Sequence, residues 1–496
     1  MSNFATLPTK VGLPSEVLVN VLDPVMPYDA KSNSIRVYAI NNPIVGATTA
    51  LAIQAAAGQF PDIPFPQTDI NFDFPCSQSS DTWLDTRLST LNFRVTVTTA
   101  AAAAGAGPVI SDAYLRSSAY AFFDTLKVAG SDGNLLEFFP EHGLTADTII
   151  QGTMSNSDRE GMGHMGFQSA FGTYSNTGHA ITGLNGSTAA SFNAAKASSF
   201  NYSIPLLSGV AGVLSDKFFP IGLVKKMLLT LTTAPILPFT IVSTTVGTAA
   251  LNATITLTDF WLNLETIKIG EQAMNQILNS LPDGKMYLKG STYKTTTSLI
   301  PAATSGVLNL PIGITGSSVR SLFARFYEAG AAGTNNSSYG KYDSKNPNLN
   351  QYGWNIGGIQ VPPSLYNPLL YPSQTYRSYL MALGTFNSSQ FKSGIPYGDY
   401  CKLCAGGVIA ANGTTQDSNY SLYSLTNQQC EFLLGENLET IPRRGLLSGR
   451  DLTFQKVNLV LSTSVANTNA ITVYTHALLD CVTIVDVHSG SAVTII

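Results

Sequence analysis

Lys226-Met-Leu-Leu-Thr-Leu-Thr-Thr-Ala234 is echoed 230 residues later by Lys456-Val-Asn-Leu-Val-Leu-Ser-Thr-Ser464. In both, Leu or Val alternates with Thr, Asn or Ser. That period of two predicts a strand with one face on a core and the other on something polar but uncharged. A polar Thr/Asn/Ala stretch follows each, and then a second strand: Trp261-Leu-Asn-Leu-Glu-Thr-Ile-Lys-Ile269 in the first half, Leu478-Leu-Asp-Cys-Val-Thr-Ile-Val-Asp486 in the second. The repeated order predicts two domains of similar design. Chance similarity between Thr-rich strands is the competing reading, and a helical pattern between the halves counts against it.

The rest of the chain has the same texture. Leu91–Val97, Ala253–Thr258 and Ile471–Thr475 are short β-branched runs bounded by Gly, Pro, Asn and Ser, which predicts an all-β protein. Helical spacing is rare. Glu271–Leu281 places Met274, Ile277, Leu278 and Leu281 at i, i+3, i+4 and i+7, with Glu271 at the favoured N-terminal end and Pro282-Asp-Gly284 as the stop. Pro205–Lys217 and Thr375–Gly384 are the other helix candidates. Gly166–Ser199 and Ala329–Ser373 read as long polar insertions, and long insertions are usually functional. Nine of the 21 tyrosines lie between Tyr339 and Tyr400. They suit protein contact or the pinning of loops to their own sheet.

Composition narrows the function. The 496 residues carry 27 Lys+Arg against 31 Asp+Glu, a net charge of −4, and charged residues are 12% of the chain, against roughly 25% in an average soluble protein. Clustered basic residues for neutralising phosphates are missing: residues 1–60 hold Lys10, Lys31 and Arg36 against Glu16, Asp23 and Asp29. The start has no basic region followed by an apolar run, so no signal peptide is expected. The uncharged stretch Val37–Pro61 is interrupted by Asn, Pro, Gly and Gln and makes a poor membrane span. Cys76, Cys401, Cys404, Cys430 and Cys481 are too few and scattered for a disulfide framework.

No motif carries chemistry. Gly161-Met-Gly-His-Met-Gly166 matches a dinucleotide fingerprint literally, but Ser155–Glu160 before it is no strand and Phe167–Gly172 after it is no helix. Cys401-Lys-Leu-Cys404 has no second pair for zinc. A redox role wants a helix N-terminus, whereas Ala405–Ala410 reads as a strand, so structural cysteines are expected. His142, His164, His179, His476 and His488 show no ligand spacing. Glu137 and Glu141 flank Phe138-Phe-Pro140 without an evident partner. Asn-x-Ser/Thr sequons, including Asn185, Asn201, Asn252, Asn387 and Asn412, follow from composition. The reading is no enzyme, with no catalytic, cofactor-binding or metal-binding residue.

Four stretches are similar to the double-jelly-roll major capsid proteins of the adenovirus, tectivirus and large nucleocytoplasmic DNA virus lineage, nearest in flavour to those of virophages and Polinton-like viruses. They are Tyr202–Gly212 running into Lys217–Gly222, Leu262–Thr292, Leu446-Leu-Ser-Gly-Arg-Asp451 leading to Val457–Leu461, and Tyr474–Asp480 with Val485–Gly490. The resemblance implies two tandem eight-stranded jelly-roll sandwiches joined by a short helix. Residues 1–65 would be an N-terminal arm lying along a neighbour (or else a disordered tail), 66–270 the first roll, 271–284 a linker helix and turn, and 285–496 the second roll. It also implies a homotrimeric, pseudo-hexagonal capsomer tiling an icosahedral shell, with loop insertions forming an outer crown. The expected partners are further copies of itself, penton and minor capsid proteins and an internal membrane, without direct nucleic-acid binding, and the expected location is the virion. A shell tile gains from sparse charge, because like patches would repel at every contact between copies. The rival is a surface β-sandwich adhesin or carbohydrate-binding protein. An adhesin wants an export signal, and a glycosidase wants paired carboxylates with Trp platforms, whereas only Trp83, Trp261 and Trp354 occur.

Overall fold

The computed structural model describes residues 31–52, 63–99 except 78, 110–115, 118–154 except 132, 165, 196–243 except 216 and 238, 250–328, 342, 344, 346–384, 386, 394, 395, 397–404, 432–439 and 448–496 except 464 and 468. Alternating apolar residues build the strands in chain order. The first half holds β1 (Lys31–Tyr38), β2 (Val45–Ala52), β3 (Ile63–Pro64), β4 (Asp69–Asp73), β5 (Thr82–Thr99), β6 (Ile110–Leu115), β7 (Phe123–Ala129), β8 (Leu135–Phe139), β9 (Lys196–Pro205), β10 (Leu228–Thr233), β11 (Ile236–Leu237), β12 (Phe239–Ser243) and β13 (Ala250–Lys268). The second holds β14 (Lys285–Ile300), β15 (Gly306–Ile312), β16 (Val319–Glu328), β17 (Leu349–Ile356), β18 (Ile359–Tyr366), β19 (Leu434–Asn437), β20 (Val457–Thr463), β21 (Ile471–Asp486) and β22 (Ser491–Ile495). The helices are α1 (His142–Thr153), α2 (Glu271–Ser280), α3 (Pro372–Ala382) and α4 (Tyr397–Cys404).

The sheets repeat one pattern. The first half pairs β1-β13-β5-β9 in one sheet and β4-β10-β7-β8 in another; the second pairs β14-β21-β16-β19 and β15-β20-β17-β18, all antiparallel. If the eight main strands of each half are lettered B to I in chain order, both halves read B-I-D-G and C-H-E-F. This is the jelly-roll order. The echoed stretches are therefore H (β10, β20) and I (β13, β21) of two rolls, with α2 between them. Inward residues fill each sandwich. Phe93 meets Phe122 and Phe123 edge-on at 5.6 and 5.2 Å, beside fully buried Phe72 and Leu262. Tyr352, Trp354, Leu459 and Leu461 are equally buried in the second roll.

The register puts the long connections at one end. Thr99 leads out of D, faces Ala253 near the start of I, and pairs with Lys196 at the start of G. In the second roll Ile471, opening I, faces Ile300 at the end of B and Glu328 at the end of D. The B–C, D–E, F–G and H–I connections thus leave from one end, and β2, β3, β6, β11 and β12 belong to those of the first roll. Connections at the opposite end include tight turns such as Gly357-Gly358.

Three expectations are corrected. Residues 31–52, expected in the arm, hold β1 and β2, and both pair with β13 of the same chain. β1 is strand B of the first roll, and its solvent-facing Ser32-Asn-Ser34 hides the alternation. Residues 1–30 lie outside the described set. Pro205–Lys217 is not a helix beyond the end of β9: Val213 N–H donates back to Leu206 O and Leu214 N–H to Ser208 O. Ser208 Oγ accepts the N–H groups of Val210 and Ala211, capping donors that a helix would use. Ala329–Ser373 is no single insertion, because it contains β17 and β18 with the fully buried Trp354 between sheets. The helix expected at Thr375–Gly384 is α3, and Glu271–Leu281 contains α2 with Met274 buried.

Candidate functional site

The polar chemistry of the chain gathers where the two rolls meet. At one level Glu137 on β8 is 2% exposed. Its carboxylate accepts hydrogen bonds from Ser208 Oγ–H, from Gly209 N–H at 2.9 Å, and across the seam from Thr292 Oγ1–H on β14 at 2.8 Å. Burial pushes its pKa up, and the hydrogen bonds from Ser208, Gly209 and Thr292 pull it back. Ser291 N–H donates to Leu214 O at 2.9 Å. The backbones touch here because both sides use glycine. A Cβ on Gly209 would overlap the Ser291 carbonyl oxygen, and one on Gly290 would overlap the Gly209 carbonyl oxygen. Lys225 N–H donates to Gly490 O at 3.0 Å, tying the same G–H connection to the β21–β22 turn.

Nearer the long connections, α1 of the first roll lies on the B-I-D-G sheet of the second. Arg325 on β16, 2% exposed, donates from Nη1 to Asp147 Oδ2 at 2.8 Å and Thr148 Oγ1 at 3.0 Å, and from Nη2 to Tyr342 O at 2.6 Å. His476 Nδ1 lies 2.9 Å from Thr295 Oγ1 and 3.1 Å from Thr145 Oγ1. Burial, with the Arg325 charge adding to it, holds His476 down at about 3. Burial holds His142, at the start of α1, at about 4. A cavity of about 40 Å³ among Thr145, Tyr293, Leu383 and His476 is far below the roughly 300–1,000 Å³ of a ligand pocket.

A second buried carboxylate anchors the G–H connection of the second roll. Asp480, 1% exposed, accepts from Ser318 Oγ–H at 2.7 Å and Ser448 N–H at 3.1 Å, while Gly449 N–H donates to Ser318 Oγ at 2.9 Å. Arg320 bonds Glu439 at 2.6 Å and stands 3.9 Å from Asp480. The sequence carried a signal for this that the motif reading missed. Leu206-Leu-Ser-Gly209 and Leu446-Leu-Ser-Gly449 are the same tetrapeptide, one in each G–H connection, and in both the Ser-Gly pair meets a buried carboxylate.

The remaining candidates are scattered. Glu141 precedes α1 at φ 53° and forms no acid–base pair with Glu137, whose partners are those above. Cys401 and Cys404 form the last turn of α4, the end of a helix whose dipole disfavours a thiolate, and burial pushes the Cys404 thiol up. The strand expected at 405–410, most of Gly161–Gly166, and His164, His179 and Cys430 lie outside the described residues. Of the tyrosines, Tyr352, Tyr379 and Tyr400 are fully buried, with the Tyr379 and Tyr400 rings stacked at 5.4 Å, so these pin structure; Tyr371 and Tyr397 stay about half exposed. Among the described residues no three His, Cys, Asp or Glu side chains gather as metal ligands, and no helix is long and apolar enough to cross a membrane.

No family model matches the chain, and no curated protein matches its sequence. Solved structures do match. VP54 of PBCV-1, a crystal structure fitted into a cryo-EM reconstruction of the virophage Sputnik, superposes with a TM-score of 0.50 at 12% identity, covering 95% of this chain and 98% of that one. A chain of the Sputnik virophage at 3.5 Å gives 0.50 at 14% identity, covering 90% of each. The mavirus major capsid protein gives 0.49 at 8% identity, over 95% and 90%. The chain shares its double-jelly-roll fold with these structures, the fold that the four sequence stretches implied.

Proposed function

We propose that the chain is a viral major capsid protein that assembles as a homotrimeric, pseudo-hexagonal capsomer and tiles an icosahedral shell. The observation that carries this reading is the pair of rolls with identical strand order, locked side by side with their long connections at the same end. Tyr342, in the D–E connection of the second roll, reaches Ala121 just before E of the first. Three such chains supply six similar rolls around one axis, and rolls spanning 31–270 and 285–496 are the units of that tile. The long connections would form the outer crown, and penton proteins, minor capsid proteins and an inner membrane would be met by the remaining faces in the virion. The polar, mostly neutral sheet faces support the reading. Asn92, Thr96, Asn201 and Asn263 stand on the outer B-I-D-G face of the first roll, where copies packed side by side face no strong repulsion. Obligate interfaces of this kind bury roughly 2,000–5,000 Å². Light scattering on a sizing column, followed by imaging of the peak, tests the proposal. About 158 kDa, three times the 52.7 kDa chain, with a hexagonal outline is expected, and a persistent 52.7 kDa monomer at high concentration would overturn it.

A further inference from the structure

In the first roll, strand D reaches the end of strand I: Thr82–Asp85, at the start of β5, pair with Lys268–Glu265. In the second roll D begins further along. β16 opens at Val319, which faces Leu479, so among the described residues no part of D lies beside Val482–Asp486 of β21. The C-terminal strand β22 takes that place. With Leu262 set against Leu479, the two registers match residue for residue. Ala492 faces Val485 where Thr82 faces Lys268, and Ile495 faces Val482 where Asp85 faces Glu265, both antiparallel to I. The second roll thus completes its sheet with the last residues of the chain instead of the start of D.

The seat is shaped for this strand, and it touches three parts of the chain. Ala492 is 2% exposed, and Thr494 Oγ1 lies 3.1 Å from Oγ1 of the buried Thr483, whereas Val493 and Ile495 face outward at 49% and 54% exposure. Without β22 the backbone of Val482–Asp486 would be an open sheet edge. The turn before the strand meets the linker: Val487 N–H donates to Gly284 O at 3.0 Å, and the His488 ring lies where a Cβ on Gly284 would go. It also meets the first roll's G–H connection, because Gly490 O accepts Lys225 N–H at 3.0 Å and a Cβ on Gly490 would come within 2.9 Å of Lys225 Cγ. The Ala492 carbonyl stands over Gly130 in the first roll's E–F turn, 3.7 Å from where a Cβ there would lie.

We infer that Val482–Asp486 of β21 is an acceptor site for an extended peptide with small inward side chains, filled in cis by the chain's own C-terminal strand, and that filling it clasps the first roll to the second. Strand addition of this kind draws affinity from main-chain hydrogen bonds and specificity from alternate side chains. The joint is locked only once the final residues of the chain are in place, and no second copy is needed. A chain ending at Val487 is titrated with a fluorescent peptide of Ser489–Ile496 and followed by anisotropy. With circular dichroism like that of the full chain, it is expected to bind the peptide saturably, whereas the full chain, its site already filled, does not. A peptide carrying Ala492→Glu should bind at least about tenfold more weakly, since its carboxylate would be buried unpaired. One carrying Val493→Glu, on the outward face, should bind like the unaltered peptide. The clasp is read separately by hydrogen exchange at Lys225, whose N–H should exchange at least about tenfold faster in the shortened chain and slow again when the peptide is added. If the shortened chain does not fold, the full chain carrying Ala492→Glu, which unseats β22, replaces it in both measurements. Equal binding by full and shortened chains, binding by neither, or equal effects of the two peptide substitutions overturns the acceptor site. Loss of the fold in both variants overturns it too, because β22 is then no separable strand. Exchange at Lys225 that ignores truncation and peptide alike overturns the clasp.

Discussion

Removing the guanidinium of Arg325 is the sharpest test of how the two rolls are held together. The side chain is 2% exposed on β16, and Asp147 on α1, 5% exposed, comes from the other roll. Arg325→Met keeps most of the apolar stem but deletes the 2.8 Å bond to Asp147 and the donors to Thr148 and Tyr342 O. Breaking one side of a buried ion pair costs about 3–5 kcal/mol, because the other charge stays in a low-dielectric site. At about 2–4 °C per kcal/mol for a unit of 150–250 residues, the melting temperature should fall by roughly 6–20 °C. Asp147→Leu should fall similarly. The double variant Arg325→Met with Asp147→Leu should recover to within about 1–2 kcal/mol of wild type, since an apolar pair of similar volume is often as good as a buried ion pair. Calorimetric melting of the four proteins closes the cycle. A loss below about 1 kcal/mol for Arg325→Met, or strictly additive singles, would refute the claim that this buried pair helps to hold the two rolls together.

Two further outcomes concern the same joint. Gly290→Ala drives a methyl into the Gly209 carbonyl oxygen, and with backbone on both sides the cost should be about 1–3 kcal/mol, whereas Gly313→Ala, whose new Cβ meets nothing closer than 4.0 Å, should be near neutral in the same melting assay. The pH dependence has opposite signs at two places. His476 and His142, held near 3 and 4, stay neutral in the fold while the unfolded chain takes up protons below about 6.5, so each contributes stability at neutral pH that is lost on acidification by up to about 1.4 kcal/mol per pH unit. Glu436, beside Ser378 and raised by burial to about 7, contributes most below about 4.5, and that contribution is lost as pH rises through 7. Urea midpoints from pH 4 to 8 should show a shallower acid limb for His476→Gln and the loss of the decline between pH 4.5 and 7 for Glu436→Gln.

The sequence showed the strands that alternate cleanly. β10, β20 and the interior half of β13 lie between a core and a neutral face, so the period of two survives in their residues. β1 was hidden because an edge strand with most of one face in water needs few apolar residues, and Ile35 and Val37 were all it offered. The turn at 206–215 read as a helix because Leu206, Leu207, Val210 and Leu214 are apolar at helical spacing. They are packed against the core from several sides by a loop whose Gly212 could not carry a Cβ against Leu206 O. The seam was invisible for a different reason. Glu137 and Thr292 are 155 residues apart and Thr145 and His476 are 331, and no local pattern announces a pairing made only by docking two finished sandwiches.

The same seam explains how two similar rolls meet in one order and not another. Aligning the echoed I strands sets Leu262 against Leu479. Val37 faces Leu262 on the first roll's B strand and Thr292 faces Leu479 on the second's, so Val37 stands where the second roll has Thr292. A first roll docked on another first roll would offer the buried Glu137 carboxylate a methyl group in place of a hydroxyl donor. The second roll's F strand, with Gln360 and Ser364, carries no such carboxylate. Thr292→Val therefore gives β14 the residue of β1 at nearly constant volume while removing the 2.8 Å bond. A buried carboxylate that loses one donor should cost about 1–3 kcal/mol. Glu137→Gln combined with Thr292→Val should recover part of that loss, because the charge left short of a donor is gone. Equal melting temperatures for wild type and Thr292→Val would mean that the glycine contact, and not the carboxylate, sets which faces meet.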